Sequence, residues 1–253
     1  MALETTIVPC LDDNFGYILR CTETGQVGLI DVPEVGPIKA ELEKRGLGVD
    51  VIFVTHHHDD HIQGVDEIRT AYGAKVVGHK NDANRLPSLD RAVVEGDTVS
   101  LGSCNADIWR VDGHTVGHIA FYFKDDATMF SADSLMALGC GRVFEGTMDQ
   151  MWDTLDKFRD LPPETEVYSG HDYLKGNAAF AMSVDGENEE LKRRVENIEA
   201  SAAAGGYLMP ASMALEMATN PFLRAPLLKE AIGMPDATDA EAFAEIRTRK
   251  DNF

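Results

Sequence analysis

The sequence predicts an α/β fold over residues 1–171, followed by a helical segment over residues 172–253, and we interpret these ranges as two domains of the 253-residue chain. Short β-rich runs separated by turn residues fill the first range, and the second lacks strand-like runs. The charge balance changes at the same place. Residues 1–171 carry a net charge of −15 (29 acids, 14 bases), whereas residues 172–253 carry −5 (14 acids, 9 bases).

Apolar and β-branched runs predict the strands of the first range. They are Val27–Ile30, Val51–Thr55, Lys75–Val77, Ile108–Val111, Ile119–Phe123, Thr128–Ser131 and Glu166–Tyr168. Helices are expected between several of them. One is predicted to begin at a capping box formed by Thr147 and Gln150, and to end before Pro162.

Two more helices are predicted in the second range. Leu191, Val195 and Ile198 have the spacing of an amphipathic helix. Thr238 and Glu241 form a second capping box, which predicts a helix that runs toward the C-terminus.

Composition and charge exclude several classes of protein. Hydrophobic residues at 44% and charged residues at 26% are typical of a globular chain. A net charge of −20 disfavours nucleic acid as a partner. Cys10, Cys21, Cys104 and Cys140 form no CxxC pair, so we expect reduced thiols rather than a zinc ribbon or a redox motif.

The N-terminal sequence and the short apolar runs bear on location. Glu4 stands where a secretory signal would carry basic residues, and no apolar region follows it. Apolar runs stay far below the roughly 20 residues that cross a bilayer. We therefore expect a soluble, cytoplasmic protein without a membrane partner.

The segment THHHDDH, residues 55–61, is the strongest functional signal. It follows the apolar run VIFV and precedes a helix-like stretch. Because residues two apart on an extended chain project to the same side, His56 and His58 should converge while His57 points away. Asp60 and His61 then stand at the start of the helix, and imidazole with carboxylate is a ligand set for divalent cations.

A solvated loop or an expression tag is the alternative interpretation of a histidine run. This run is internal, contains Asp59 and Asp60, and lies at the end of a predicted strand. These features favour metal binding, so other segments are expected to supply further ligands.

His114, Asp133 and His171 are the candidates for those ligands, because each lies just beyond a predicted strand, where α/β proteins build sites. Taken singly, Asp133 is more typical of a helix cap and His171 of a loop histidine. With the histidine segment they make five histidines and two aspartates. That number allows two sets of three ligands and one shared carboxylate, as a two-metal hydrolytic site requires.

These motifs resemble those of a known family. THHHDDH matches the T-H-x-H-x-D-H signature of the metallo-β-lactamase superfamily, and His114, Asp133 and His171 follow in that superfamily's order. Four later stretches resemble glyoxalase II, the hydroxyacylglutathione hydrolases. They are GCGRVFEGT at 139–147, GHDY at 170–173, NPF at 220–222 and the terminal IRTRKDNF. The resemblance covers nearly the whole chain.

The resemblance implies an αββα sandwich over residues 1–171 and a small all-helical substrate-binding domain over residues 172–253. It also implies two divalent metal ions per chain, zinc or else iron or manganese. The implied ligands are His56, His58 and His114 for the first metal, Asp60, His61 and His171 for the second, and Asp133 as a bridge.

The same resemblance implies a set of substrate-binding residues. They are Arg142, Phe144, Tyr173, Asn177, Arg247 and Lys250. The family commonly has lysine and tyrosine at the first two of these positions. The change to Phe144 removes a hydroxyl contact to glutathione, whereas Arg142 keeps the cationic contact.

Charge provides an independent argument about the substrate. S-acylated glutathione is anionic, so a chain of net charge −20 needs a local cationic patch to bind it. Arg247 and Lys250 are three residues apart on the predicted last helix and share a face, which Arg142 could join. The alternative is an exposed helix on which Glu245 and Arg249 pair.

The remaining candidates are assigned no ligand role. His57 should face away from the metals, His79 should lie in a loop, and His118 should hydrogen-bond within its own turn. Cys140 lies between two glycines, but no base is identifiable beside it. We expect it to pack.

The resulting hypothesis is metal-assisted thioester hydrolysis. A hydroxide between the two metals would attack the carbonyl, with Asp60 and Asp133 as the catalytic carboxylates. The expected substrate is S-(2-hydroxyacyl)glutathione, in the first place S-D-lactoylglutathione. Its products, glutathione and D-lactate, would make this the second step of methylglyoxal detoxification.

Two other functions stay open at this point. A persulfide dioxygenase of the same superfamily would use one iron, although such relatives generally lack the R..KD helical tail. A metal-stabilised binding protein without turnover would need a closed site, whereas seven ligands for two metals leave open positions. The oligomeric state is not encoded, and a monomer is assumed.

Overall fold

The computed structural model describes residues 2–203 and 209–253. These residues form two units, and each is described by itself. The first comprises Met1–Val111 and Val116–Ala132, and the second comprises Asp112–Thr115 and Asp133–Phe253.

The first unit contains most of the strands. They are β1 (Leu3–Cys10), β2 (Asn14–Cys21), β3 (Val27–Ile30), β4 (Val51–Phe53), β5 (Lys75–His79), β6 (Arg91–Val93), β7 (Thr98–Leu101), β8 (Cys104–Arg110), β9 (Ile119–Phe123) and β10 (Thr128–Ala132). Three helices are interspersed with them: α1 (Val35–Arg45), α2 (Asp59–Ile62) and α3 (Val65–Tyr72).

The first sheet has the strand order β1-β2-β3-β4-β5-β6. Strands β1, β2 and β3 pair antiparallel, whereas β3, β4, β5 and β6 run parallel. The carboxyl ends of β3 and β4 therefore meet at one edge of the sheet. That edge brings Asp31, which follows β3, next to the segment that follows β4.

Four strands of the second sheet belong to the first unit. Their order is β10-β9-β8-β7, and neighbouring strands are antiparallel. Aromatic side chains fill the space between the two sheets. The ring centroids of Phe53 and Phe121 lie 5.2 Å apart, and those of Tyr17 and Phe130 lie 5.3 Å apart. The other face of the first sheet is covered by α1 and α3 through a buried aliphatic cluster that includes Ile38 and Ile68.

The second unit is mainly helical. Its elements are α4 (Met148–Arg159), β11 (Glu166–Ser169), α5 (Leu174–Asp185), α6 (Glu189–Ala203), β12 (Ala211–Ser212), α7 (Met213–Thr219), α8 (Ala225–Leu228) and α9 (Asp239–Asp251). Helices α4 and α9 pack together, with the rings of Trp152 and Phe243 5.9 Å apart. Leu174, Leu191 and Ile198 belong to a second buried cluster, which joins α5 to α6.

The predicted fold class is confirmed, since the structure combines an α/β part with two sheets and a helical C-terminal region. Both capping boxes are present: Thr147 accepts from the Gln150 amide and Thr238 from the Glu241 amide, with both side-chain return bonds formed. The helix predicted from Leu191 is α6. All seven predicted strands exist, with ends that shift by up to four residues.

Several elements were not predicted, and five of the seven predicted strands differ from the observed bounds. Strands β1, β2, β6 and β7 and helix α1 were missed, and β12 is a short strand in the range expected to be wholly helical. The strand predicted as Val51–Thr55 ends at Phe53. The Thr55 amide donates to the Asp31 side chain, so this amide is not used in strand pairing.

All four cysteines are free and buried. Among residues 2–203 and 209–253, no helix combines the length and the apolar character that crossing a membrane would require.

Truncation of a buried leucine in α4 should destabilise the protein. Leu155 is fully buried, so Leu155→Ala should lower the free energy of unfolding by about 2–5 kcal/mol through lost burial and a residual cavity. Leu227→Ala, at a position 71% exposed, should change it by less than about 0.5 kcal/mol. Urea unfolding followed by circular dichroism measures both, and equal effects would contradict this account of the core.

Candidate functional site

A buried carboxylate, Asp31, organises the segment after β4. Its Oδ1 accepts from the Thr55 amide at 2.9 Å, and its Oδ2 accepts from the Thr55 hydroxyl at 2.7 Å. His61 Nδ1 lies 2.8 Å from the same Oδ2. Asp31 itself has a φ of +55°, in the left-handed region that non-glycine residues seldom adopt. Its buried hydrogen bonds hold it there.

These bonds determine which nitrogen of two histidines carries the proton. A carboxylate can only accept, so His61 is protonated at Nδ1 and its Nε2 carries the lone pair. The Thr55 hydroxyl donates to Asp31, so it accepts from His56 Nδ1, 3.0 Å away. His56 therefore also presents Nε2 as a lone pair. Both are in the form that a metal ligand requires.

His56 and His58 converge, as the spacing of the segment predicts. His56 Nε2 lies 3.2 Å from His58 Nδ1, and the ring centroids are 4.7 Å apart. His57 instead points to the opposite side, where its Nδ1 is 3.1 Å from Asp82 Oδ2 and its Nε2 is 3.2 Å from Arg85 Nη1. The structure thus separates His57 from the ligand candidates.

Asp60 is oriented by Asn14, a buried residue at the start of β2. The Asn14 amide nitrogen donates to Asp60 Oδ2 at 3.0 Å and to its carbonyl oxygen at 3.1 Å. The same Oδ2 is 3.8 Å from His61 Nε2. A carboxylate oxygen therefore faces an imidazole lone pair.

The second unit brings together the other three candidates. Asp133 Oδ2 lies 3.3 Å from His114 Nε2 and 3.3 Å from His171 Nε2. The Arg142 carbonyl accepts from His114 Nδ1 at 2.8 Å, which leaves the lone pair of His114 on Nε2, toward Asp133. One carboxylate oxygen is thus equidistant from two imidazoles.

The arrangement in each unit fits a divalent metal ion. Lone pairs of buried imidazoles face carboxylate oxygens, and acceptors at such distances repel one another unless a cation lies between them. Ligand atoms of His56 and His58 lie within 4.8 Å of each other, and so do those of Asp60 and His61. Imidazole nitrogen and carboxylate oxygen suit zinc, iron and manganese alike.

Three of the six substrate-binding candidates are exposed. The Phe144 residue is 61% exposed and Tyr173 is 43% exposed. Phe144 packs edge-on against His114 at 5.4 Å, and Tyr173 stacks on His171 at 4.8 Å. The Arg142 side chain is 57% exposed. Phe144 and Tyr173 therefore contact metal-ligand candidates of the second unit, and all three side chains remain accessible.

The other three candidates are more buried. Asn177 and Arg247 are only 6% and 5% exposed, and both donate to backbone carbonyls. Lys250 donates to the Gly176 carbonyl at 3.1 Å and lies 5.3 Å from the centre of the Phe180 ring. Burial is the main cause that lowers the pKa of Lys250, and the charge of Arg247 lowers it further.

Arg142 and Arg247 meet at one carboxylate of the last helix, whereas the predicted cationic face of Arg247 and Lys250 stays a prediction. Asp251 Oδ1 accepts from Arg142 Nε at 3.2 Å and from Arg247 Nη2 at 3.0 Å, so the three side chains form one cluster. The alternative pair also forms, since Arg249 Nε donates to Glu245 Oε1 at 2.8 Å. The two features are compatible on the same helix.

Cys140 packs rather than reacts. Its thiol is buried, and burial raises its pKa to about 11, so the thiol is protonated at neutral pH. The glycines that flank it are needed for close approach. A Cβ atom at Gly141 would lie 2.2 Å from the Asp133 carbonyl oxygen, and one at Gly139 would lie 2.3 Å from Asn177 Nδ2.

The structure locates the two remaining histidines. His79 was expected in a loop, but it is the last residue of β5 and is buried, because the parallel pairing with β6 extends the strand. His118 lies 3.2 Å from the carbonyl of the adjacent Ile119 through Nδ1, and its ring stacks on His56 at 4.5 Å.

Sequence reasoning missed Asp31 and Asn14. Asp31 carried a usable signal, since it directly follows the run VGLI as Thr55 follows VIFV. Asn14 carried none, because its bond to Asp60 spans 46 residues of chain.

Comparison with known proteins identifies the class. The model of the metallo-β-lactamase superfamily matches residues 23–171, more than half of the chain. Two solved structures illustrate the fold. ETHE1 from Myxococcus xanthus has a TM-score of 0.67 at 24% identity, covering 99% of this chain and 98% of that one. The BLEG-1 B3 metallo-β-lactamase has a TM-score of 0.66 at 19% identity, covering 87% of this chain and 99% of that one. At these identities the likeness establishes the fold alone.

Full-length relatives narrow the class to one family. The hydroxyacylglutathione hydrolase of Cereibacter sphaeroides is 50% identical and that of Ruegeria pomeroyi is 49% identical, each over all of both chains. The model of the hydroxyacylglutathione hydrolase C-terminus matches residues 172–253. The chain belongs to the hydroxyacylglutathione hydrolase family, and it is a hydrolase. The predicted division into domains at residue 171 stays a prediction.

Loss of the Asp31 carboxylate should weaken metal binding. Asn at this position replaces one carboxylate oxygen with an NH2 group, which then faces either the Thr55 amide or the Thr55 hydroxyl and His61 Nδ1, all of which are donors. Asp31→Asn should lower metal affinity by about 10- to 100-fold, measured by competition with a chromophoric chelator on folded protein.

A matched control is Asp126→Asn. Asp126 is also buried and accepts from two backbone amides, those of Ala2 and Leu3, but its bonds do not involve a ligand candidate. It should retain the affinity of the unsubstituted protein. Equal losses in the two variants would contradict the orienting role of Asp31.

Proposed function

We propose that this protein hydrolyses S-(2-hydroxyacyl)glutathione, with S-D-lactoylglutathione as the substrate and glutathione and D-lactate as the products. The observation that carries the proposal is the match to full-length relatives named hydroxyacylglutathione hydrolase, at about 50% identity. The exposed cationic and aromatic side chains beside Asp133 support an anionic, amide-rich substrate.

We further propose that two divalent metal ions are bound, zinc or else iron or manganese. The proposed ligands are His56, His58 and His114 for one ion, Asp60, His61 and His171 for the other, and Asp133 for both. The equal distances from Asp133 Oδ2 to two imidazoles support its bridging role. When bound, such ions lower the pKa of water and polarise the thioester carbonyl.

The protein's own groups prepare this chemistry. The hydrogen bonds of Asp31 and Thr55 keep the protons of His56 and His61 on Nδ1, so that each Nε2 can bind a metal. Asn14 orients the Asp60 carboxylate. Asp60 and Asp133 are the proposed catalytic carboxylates, since they would hold the ions that supply this chemistry. Since a thiol has a pKa of about 8.5, it leaves as a thiolate near neutral pH and needs no strong general acid.

The substrate-binding residues fall into two groups. Arg142 and Lys250 supply cations for the carboxylates of glutathione, and Phe144 and Tyr173 supply exposed aromatic surface. Asn177 and Arg247 donate to backbone carbonyls of the segment that leads to Arg142, and Arg247 also donates to Asp251. Phe144 has no hydroxyl, so its contact is apolar.

The decisive test is hydrolysis of S-D-lactoylglutathione by purified protein, followed at the thioester absorbance, with metal content counted on the same sample. We expect turnover that a chelator abolishes, with about two metal ions per chain. Bound metal without turnover would reject the proposed substrate. Oxygen consumption with glutathione persulfide would then indicate the dioxygenase.

Asp133→Asn should lower kcat by at least about 100-fold and reduce the bound metal, because the carboxylate that faces two imidazoles is lost. Asp156→Asn is the control, since the Asp156 side chain is 55% exposed and bonds to Arg159 on its own helix. Full turnover by Asp133→Asn with two metals bound would reject the bridging role.

The pKa of Lys250 predicts a pH dependence of binding. The ammonium exists below its pKa, and burial lowers that pKa, so the cation is lost at a lower pH than for an exposed lysine. KM should therefore begin to rise at a lower pH than the ordinary pKa of a lysine would give. Lys250→Arg stays charged, so it should remove the part of the KM rise that comes from deprotonation of Lys250. Lys192→Arg, a substitution on α6, should leave the rise in KM unchanged. Identical profiles for all three proteins would contradict the assignment.

A further inference from the structure

The segment Met136–Arg142, here called the GCG loop, leads into the exposed Arg142 side chain. It opens with a tight turn in which the amides and carbonyls of Met136 and Gly139 bond to each other at 2.9 and 3.0 Å. Leu138, inside this turn, has a φ of +55°. A non-glycine residue in the left-handed region is costly unless surrounding groups over-determine it.

Buried side chains hold the backbone of this loop. Asn177 donates to the Ala137 carbonyl at 3.1 Å, and Glu216 accepts from the Leu138 amide at 3.0 Å. Asn220 donates to the carbonyls of Met136 and Gly139, at 3.1 and 3.0 Å. Arg247 donates to the Cys140 carbonyl at 2.9 Å. We call Asn177, Glu216, Asn220 and Arg247 the clamp.

The clamp is supported by its own buried network. The Glu216 carboxylate pairs with the buried Arg194 guanidinium, and it also accepts from Asn220 Nδ2 at 2.9 Å. Arg194 donates in addition to the Thr219 hydroxyl at 2.6 Å. Glu216 and Asn220 are fully buried, so these two side chains are not accessible to a ligand in solution.

The far end of the GCG loop reaches the metal-ligand candidates. The Gly141 amide donates to the Asp133 carbonyl at 2.8 Å, and the Arg142 carbonyl accepts from His114. The loop therefore connects the clamp, on helices α5, α7 and α9 and the residue after α7, to two proposed ligands and to Arg142.

We infer that the clamp residues are positioning residues for substrate binding: they fix the GCG loop so that Arg142 is presented to the glutathione part of the substrate. This inference rests on the proposed function. It assigns Asn177 an indirect role, since its amide group donates to a loop carbonyl. Arg247 holds the loop through the Cys140 carbonyl and also donates to Asp251, which bonds to Arg142. Direct contact with substrate is assigned to Arg142, Phe144, Tyr173, Arg247 and Lys250.

The test compares two Asn→Asp substitutions in the same helical region. Asn220→Asp replaces the amide that serves two loop carbonyls with an acceptor, which repels them. Asn188→Asp is the control, because Asn188 Nδ2 also donates to a carboxylate, Asp185, and to a carbonyl, that of Ala218, but does not contact the GCG loop.

Two readouts are taken on metal-loaded protein: the KM and kcat for S-D-lactoylglutathione, and the hydrogen exchange of the Leu138 and Gly139 amides. Asn220→Asp should raise KM by about tenfold or more, with kcat within about threefold, and should accelerate exchange in the loop by a similar factor. Asn188→Asp should leave KM, kcat and loop exchange unchanged. Equal behaviour of the two variants would overturn the inference.

If Asn220→Asp does not fold, Asn177→Asp replaces it in the test, because this substitution removes only the bond to the Ala137 carbonyl. A positioning role predicts both a higher KM and faster loop exchange. A higher KM with unchanged exchange would mean direct contact with substrate and would overturn the inference for Asn177. Absence of hydrolysis by the unsubstituted protein would reject the proposed function and the substrate role of the clamp, whereas loop exchange would still decide whether the clamp holds the loop.

Discussion

Acceptor atoms that face one another in a buried pocket repel, and this constraint shapes both sets of ligand candidates. An imidazole that binds a metal exposes one lone pair while its other nitrogen donates to a fixed acceptor. In the first unit that acceptor is Asp31, directly for His61 and through Thr55 for His56. In the second unit it is the Arg142 carbonyl, which serves His114. The protein thus sets the protonation pattern by hydrogen bonds on the side away from the proposed metals.

The backbone is strained where it carries these groups. Asp31 has a positive φ, and so does Ala132, which precedes Asp133. Leu138, in the GCG loop, is a third example. Strain at such positions persists only where surrounding bonds over-determine the conformation. Asp31 bonds to a ligand candidate, Ala132 precedes one, and Leu138 belongs to the GCG loop. The same bonds that orient the side chains therefore also hold the unfavourable backbone.

Local sequence patterns predicted the features that depend on neighbouring residues, namely the side-chain directions in the histidine segment and the starts of two helices. The alternation in THHHDDH places His56 and His58 together and His57 apart, and the capping boxes at Thr147 and Thr238 fix the starts of α4 and α9. The fold class followed from the contrast between strand-rich and strand-free ranges.

Long-range partners could not be predicted in this way. The hydrogen-bonded residues Asp31 and His61 are 30 residues apart in the sequence, and Glu216 is 78 residues from Leu138, whose amide it binds. In a single sequence, an aspartate after a strand is equally typical of a turn, and a glutamate in a helix is typical of a solvated surface. The burial of Glu216 depends on Arg194, whose position is set by packing between helices.

The burial of Cys140 has a consequence for the chemistry around the GCG loop. The proposed reaction releases a thiol, and the disulfide that forms when such a thiol is oxidised can exchange with reactive cysteines. Exchange requires a thiolate, and a pKa of about 11 keeps Cys140 protonated at neutral pH. Burial also removes it from contact with dissolved disulfides. A cysteine in the proposed substrate-positioning loop is thereby protected from forming a mixed disulfide by exchange with the disulfide form of the released thiol.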